Sequence, residues 1–329
     1  TENEYFSDGL SEELLNVLAK IPQLHVAGRT SSFKFKNTNE DLRIIGEALN
    51  VRHLLEGSVR KSGARLRITA QLIDTSNGYH LWSETYDRDL TDIFAIQDEI
   101  AGHVVEALKA HLLGAEVAAA TQGTANVEAY NEYLRGSYFL DHTSAENLEK
   151  AMAAFEEAIR LDPDFARAYA ALSIVQHQMF GGWAGSSGGN FLENFKIMRG
   201  NVAKAVELAP DSVDALIAQT MFMLVSEWDL PRALEISARA VELAPNDSVP
   251  LGWHASNLFF NGQFAEAEDH ILRAIENDPL AISTLRSLGD LQMASGRCDE
   301  AIATYERALN MSPESGRFFG RMARCRLLQ

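Results

Sequence analysis

The chain has 329 residues, of which 46% are hydrophobic and 23% charged, with a formal net charge of −17 at neutral pH. This length suggests about two domains with real cores, and the composition excludes low-complexity and collagen-like chains. The acidic balance argues against nucleic-acid binding by this chain. No apolar run reaches the ~18 residues of a membrane span, and Thr1-Glu2-Asn3-Glu4 has no signal-peptide character.

In chain order, residues 8–20 read as a helix, with Asp8 as N-cap and Pro22 beyond its end. Leu24 to Arg29 reads as a short strand and Asp41 to Leu49 as a second helix. A three-strand meander follows: His53 to Arg60, the alternating Leu66-Arg67-Ile68-Thr69-Ala70-Gln71-Leu72, and Tyr79 to Tyr86. Its turns carry Ser62-Gly63 and Ser76-Asn77-Gly78, the second a strong hairpin signal. Asp92 to Leu113 is a long amphipathic helix, and an alanine-rich linker covers 114–126.

From there on the chain repeats itself. Five of the eight prolines close one phrase: Ala-Ile-Arg-Leu-Asp-Pro163, Ala-Val-Glu-Leu-Ala-Pro210, Ala-Val-Glu-Leu-Ala-Pro245, Ala-Ile-Glu-Asn-Asp-Pro279 and Ala-Leu-Asn-Met-Ser-Pro313. Their separations are 47, 35, 34 and 34, the first enlarged by a Gly/Ser-rich insertion at 181–190. Small residues recur where paired helices must cross: Ala151, Ala267 and Ala301, then Ala158, Ala205, Ala240, Ala274 and Ala308, and Gly289 on a first helix. Phe155 and Tyr305 lie one turn beyond the crossing alanine and fill the seam.

This 34-residue pattern resembles the tetratricopeptide-repeat (TPR) family. The expected helix pairs are 127–163, 166–210, 213–245, 248–279 and 282–313, with a lone helix at 316–329. That last helix is polarised by Arg317, Arg321, Arg324 and Arg326 but keeps Phe318, Phe319, Met322, Leu327 and Leu328. The expectation is a chain cut short of its natural terminus, or an apolar face that docks on something.

The first third carries a second resemblance. Tyr5-Phe6-Ser7-Asp8-Gly9-Leu10-Ser11-Glu12-Glu13-Leu14, Arg29-Thr30-Ser31-Ser32-Phe33, Leu55-Glu56-Gly57-Ser58-Val59-Arg60, Ala70-Gln71-Leu72-Ile73-Asp74 and Leu81-Trp82-Ser83-Glu84-Thr85-Tyr86-Asp87-Arg88 resemble the TolB-like domain that precedes TPR arrays in bacterial signalling proteins. The resemblance implies a parent with a class III adenylate/guanylate cyclase domain or a CadC-like winged-helix regulator. It also implies a strand before Tyr5 that this sequence lacks, so a fragment of a longer chain is expected. The resulting expectation is an α+β domain over 1–113, a small mixed sheet with helices, then the linker over 114–126. An all-α TPR solenoid follows over 127–329.

Chemistry is sparse. Gly185-Ser186-Ser187-Gly188-Gly189 matches G-x-S-x-G, but a nucleophile elbow needs a strand-to-helix turn, and this stretch lies between repeat helices. A hydrolase using Gly185, Ser187 and Gly189 is therefore a remote alternative, and small-molecule sensing a nearer one. His53, His80 and His103 read as surface residues, and no ligand spacing predicts a metal or cofactor. Arg52, Arg60, Lys61, Arg65 and Arg67 read mainly as a solvated hairpin edge, with an anionic ligand or acidic partner as the alternative. Cys298 and Cys325 are expected as free thiols, because the repeat geometry gives no reason for them to meet.

The remaining candidate is the groove lined by first helices. Its predicted residues are Gln178, Met221, Val225, Trp253, Ser256, Phe260, Arg286 and Asp290, with core packing as the alternative for Trp253 and Phe260. The expected function is a non-enzymatic regulatory module, binding a protein or peptide partner or the missing effector domain, with a homodimer left open. Compartment also stays open between bacterial cytoplasm and periplasm.

Overall fold

The computed structural model describes residues 2–19, 21, 24–63, 65–108, 123–142, 144–180, 191–312 and 317–328. The first layer is built from α1 (Glu2–Ala19), the four-residue α2 (Arg29–Ser32), α3 (Leu42–Leu49), β1 (His53–Ser62), β2 (Arg65–Asp74), β3 (His80–Asp89) and α4 (Ile93–Leu108). The described strands form one antiparallel sheet of order β1-β2-β3. The expected mixed sheet is thus antiparallel here, and the predicted strand Leu24–Arg29 runs outside it as extended chain into α2. The helix predicted from Asp8 begins six residues earlier. Asp8 is buried in mid-helix and ion-paired to Lys36 (2.7 Å), so it is not a cap. Asp41 does cap α3, accepting from the Arg43 amide at 2.9 Å.

Alternation positions the sheet. Leu66, Ile68, Ala70 and Leu72 of β2 are buried on one face, leaving Arg65 and Arg67 on the other. There Arg67 stands opposite Asp87 and Arg65 opposite Asp89. Arg65 and Arg67 both reach Asp87, at 2.6 and 2.5 Å, and Arg52 pairs with Asp74 at 3.2 Å. This accounts for three of the five basic side chains of the hairpin as cross-strand and neighbouring ion pairs.

The array follows as α5 (Val127–Asp141), α6 (Ala145–Leu161), α7 (Ala166–Phe180), α8 (Phe191–Leu208), α9 (Val213–Phe222), α10 (Leu230–Leu243), α11 (Ser248–Phe260), α12 (Phe264–Asn277), α13 (Ile282–Ala294), α14 (Cys298–Met311) and α15 (Arg317–Leu328). Consecutive helices pack antiparallel in pairs around small crossing residues. A buried small residue recurs on the first helix of each pair: Gly136, Ser173, Thr220, Ala255 and Gly289. A Cβ on Gly136 would lie 2.6 Å from the Phe155 ring, so the glycine is what lets α5 and α6 touch; Gly289 faces Tyr305 in the same way.

The two layers share one core. Phe6, Leu10 and Leu14 of α1, the inner face of β2, and Ile93, Ile96 and Ile100 of α4 join Tyr130, Leu134, Phe155 and Leu172 of the array in a continuous apolar cluster. Gln97, fully buried on α4, donates to the Tyr130 hydroxyl at 2.8 Å across this junction. Separate buried clusters sit along the later repeats.

Candidate functional site

Two arginine-centred clusters meet where the α/β layer joins the array. Arg167, at the start of α7, is buried and donates to both carboxylate oxygens of Glu13 on α1 at 2.6 and 2.7 Å. It also donates to Asp214 at 3.0 Å and to the Tyr133 hydroxyl at 3.0 Å, and lies over the Tyr133 ring at 4.8 Å. One guanidinium therefore links four elements, α1, α5, α7 and α9. Its fork geometry suits it to this task, where the point charge of a lysine would not serve. Close by, Arg29 pairs with Glu12 of α1 (3.2 Å) and with Asp141 at the end of α5. Burial raises both carboxyls, and the shared guanidinium opposes that rise.

The predicted groove residues do not form one exposed surface. Met221 is buried in the array, and Trp253 is half-buried against the clusters between α9 and α10. Ser256 donates to the Gly252 carbonyl of its own helix at 2.9 Å. Asp290 accepts from the Tyr305 hydroxyl at 2.7 Å and from Arg321 at 2.6 Å, which fastens α15 to α13 and α14. Gln178 and Arg286 are half-buried, and the Val225 side chain lies outside the described residues. Of the predicted set with described side chains, Phe260 alone is exposed, at 49%. Met221 is therefore a core residue rather than a groove residue, and the side chains of Trp253, Ser256 and Asp290 are engaged in packing or internal bonds.

Phe260 instead belongs to an aromatic ridge at the turns within repeats. Trp228, 66% exposed, meets it edge-on at 6.5 Å, and Phe259 links it to Phe264, which is 40% exposed. The backbone beneath Trp228 is unusual. Residues Met223–Glu227 form a π-helical turn, and Trp228 then takes the left-handed conformation, φ 55°. Exactly one and two periods later, the same conformation is taken by Gly262 and Gly296. A bulky residue in that region costs about 1–2 kcal/mol more than glycine, and strain of this kind concentrates at functional sites. The sequence signal for the ridge was the absence of glycine at position 228, visible once the 34-residue register is aligned on Gly262 and Gly296.

Other candidates resolve simply. The Gly185-Ser187-Gly189 stretch, the last residues of the predicted helix (109–113) and residues 114–122 of the linker lie outside the described residues. Among the described residues no group of three or more His, Cys, Asp or Glu could hold a metal ion, and no helix is long and apolar enough to cross a membrane. His103 is half-buried, with its ring against Trp82 and its Nδ1 3.0 Å from the Tyr86 hydroxyl. Cys298 and Cys325 are free, as expected, but they do meet. Both are buried in the last cluster, where the Cys325 thiol donates a hydrogen bond to Cys298 because α15 folds back over the start of α14.

The comparisons with known proteins agree with this architecture. Two family models match, described as TPR repeat over residues 141–179 and tetratricopeptide repeat over 286–315. The chain thus carries tetratricopeptide repeats, an architecture of protein-interaction modules. A Rhizobium meliloti protein named "Putative adenylate cyclase 3" is 36% identical over 215 residues, 65% of this chain and 35% of that protein. Superkiller protein 3 of Schizosaccharomyces pombe is 28% identical over 196 residues, 57% of this chain and 13% of that protein. The chain therefore spans about a third or less of the curated relatives it matches. Among solved structures, the human IFIT1 dimer with m7Gppp-AAAA superposes with a TM-score of 0.51 at 15% identity, covering 72% of this chain and 55% of that one. This likeness concerns the fold alone.

Proposed function

We propose that this chain is a non-enzymatic regulatory module of a bacterial signalling protein, which binds a protein or peptide partner through its repeat array. The observation that carries the reading is Trp228: an exposed tryptophan held in a conformation its repeat neighbours reserve for glycine, beside exposed Phe260 and Phe264. Stability alone favours glycine there, so a benefit outside the fold accounts for the tryptophan. Exposed aromatic anchors are the side chains that dominate interface energies. The TolB-like phrases of the first 90 residues support a signalling parent of either the cyclase or the CadC-like kind, and the likeness to the Rhizobium meliloti protein favours the cyclase. Arg286 and Gln178 stay as flanking contacts of the proposed surface.

Affinity capture from a lysate of the parent's host tests the proposal. The wild-type chain is expected to recover a partner or its own effector domain. Phe260→Ala is expected to recover little of it at unchanged helix content. Equal recovery by the variant removes the ridge from the account. Turnover of an activated ester that Ser187→Ala abolishes would replace the module by a hydrolase.

A further inference from the structure

Residues 24–36 leave α1, cross to the far part of the array and return to α1. At the outward end, the Asn246 side chain donates to the Leu24 carbonyl at 3.0 Å. The Gly28 amide donates to the Asn277 carbonyl at 2.5 Å, and the Lys34 ammonium to the Leu280 carbonyl at 3.1 Å. Between them, the amide and hydroxyl of Ser31 both donate to Asp278, the amide at 2.8 Å. Gly28 lies so close that an added Cβ would sit 2.5 Å from the Asp278 side chain. On the return, Arg29 holds Glu12 and Asp141, and Lys36 holds Glu4 and Asp8. The segment is a chord from the first repeat to the turn between α12 and α13, spanning 247 residues of sequence at Ser31 and Asp278.

The turn it grips has a second way to satisfy itself. In the first repeat the equivalent turn is Asp162-Pro163-Asp164, and there the Asp164 amide donates to the Asp162 carboxylate of its own turn at 3.0 Å. In Asp278-Pro279-Leu280 the matching Leu280 amide donates instead to the foreign Ser31 hydroxyl at 2.7 Å. If the segment leaves, Asp278 closes onto the Leu280 amide as Asp162 does onto Asp164. The exposed turn then loses no hydrogen bond that it cannot replace. The segment's own polar groups return to water, an exchange nearly balanced in free energy, while the packing of Leu24 and Val26 against the shared core favours the closed latch at rest.

We propose that residues 24–36 are a detachable latch, and that the Asn277–Leu280 turn is a peptide-recognition site which this segment of the chain fills in cis. Repeat arrays couple mainly through neighbouring units, so they flex along their length. A chord from first to fourth pair fixes that curvature, and its release frees it. The latch stands independently of the partner reading, because its test needs no partner.

Hydrogen exchange on the whole chain provides the first measurement. A latch opens locally, so the buried Ser31 amide is expected to exchange at least tenfold faster than the Ala301 amide inside α14. Gly28→Val, which drives a side chain into Asp278, is expected to speed Ser31 exchange a further tenfold or more at unchanged helix content. Ser31→Ala is the milder companion. A synthetic peptide of residues 24–36 is then expected to bind the Gly28→Val chain more than tenfold tighter than wild type, whose site is already filled. The proposal is overturned if Ser31 exchanges only as slowly as Ala301. It is likewise overturned if both variants lose helix content, or if the peptide ignores the variant. A failed partner capture with these results intact would sink the partner reading and leave the latch standing.

Discussion

Glu13 and Arg167 are both nearly excluded from solvent, so each charge depends on the other. Removing one leaves the other buried without its partner, which costs about 3–5 kcal/mol. Urea denaturation of Arg167→Met is expected to show a loss of that size. Arg167→Met combined with Glu13→Leu is expected to lose less than the sum of the two single changes, the mark of direct coupling. His254 gives the residue scale a pH signature. Burial first, and then the neighbouring His270 ring at 4.8 Å, lower its pKa to about 4, with its Nδ1 at 2.8 Å from the Ser237 hydroxyl. The folded state therefore holds it neutral, whereas the unfolded chain protonates it near 6.5. Stability from this site is complete above about 6.5 and declines as pH falls toward about 4, by at most about 3 kcal/mol. An NMR titration is expected to place the His254 midpoint near the lower value. A midpoint near 6.5 would contradict the packing described here.

At the level of elements, each helix pair is fitted by size at its crossing. Gly136 admits Phe155 and Gly289 admits Tyr305, whereas Ala255 and Thr220 occupy the same position in other pairs. Gly289→Ala presses a methyl group into the Tyr305 ring and is expected to cost about 1–3 kcal/mol. A smaller residue at 305 should recover part of this, and chemical denaturation of Gly289→Ala with Tyr305→Leu checks the recovery. These pairs were legible from the sequence because their signal is periodic: proline, small residue and aromatic recur at fixed offsets. The strand expected at Leu24–Arg29 failed for the opposite reason. Its apolar residues bury against the shared core and its backbone bonds go to Asn246 and Asn277, partners more than 200 residues away that no local pattern encodes. Met221 lies in the core while Phe260 stands exposed, because first helices also supply the core, and nothing in position alone separates the two.

For the molecule as a whole, the shared core decides how the parts behave. Ala129, Tyr130 and Leu134 of α5 pack in one cluster with α1 and α4. A chain beginning at Gly123 uncovers that face. It is expected to lose amide protection throughout α5 and α6 while keeping it in α12 to α14, as nearest-neighbour stacking implies. Full protection in both places would mean the array carries its own complete core. The general plan, a small sheet followed by a helical array, was legible from the sequence because meander and repeat each have their own period. The fusion of the two was not, since a continuous core leaves no periodic trace.

The central claim is that the array binds a partner at the strained aromatic ridge. Calorimetric titration of the captured partner against wild type and Trp228→Gly tests it most directly. Glycine relieves the left-handed strain, so the variant is expected to be more stable by about 1 kcal/mol, while its Kd rises at least tenfold through loss of the anchor. A variant that gains stability and binds with an unchanged Kd would contradict the claim.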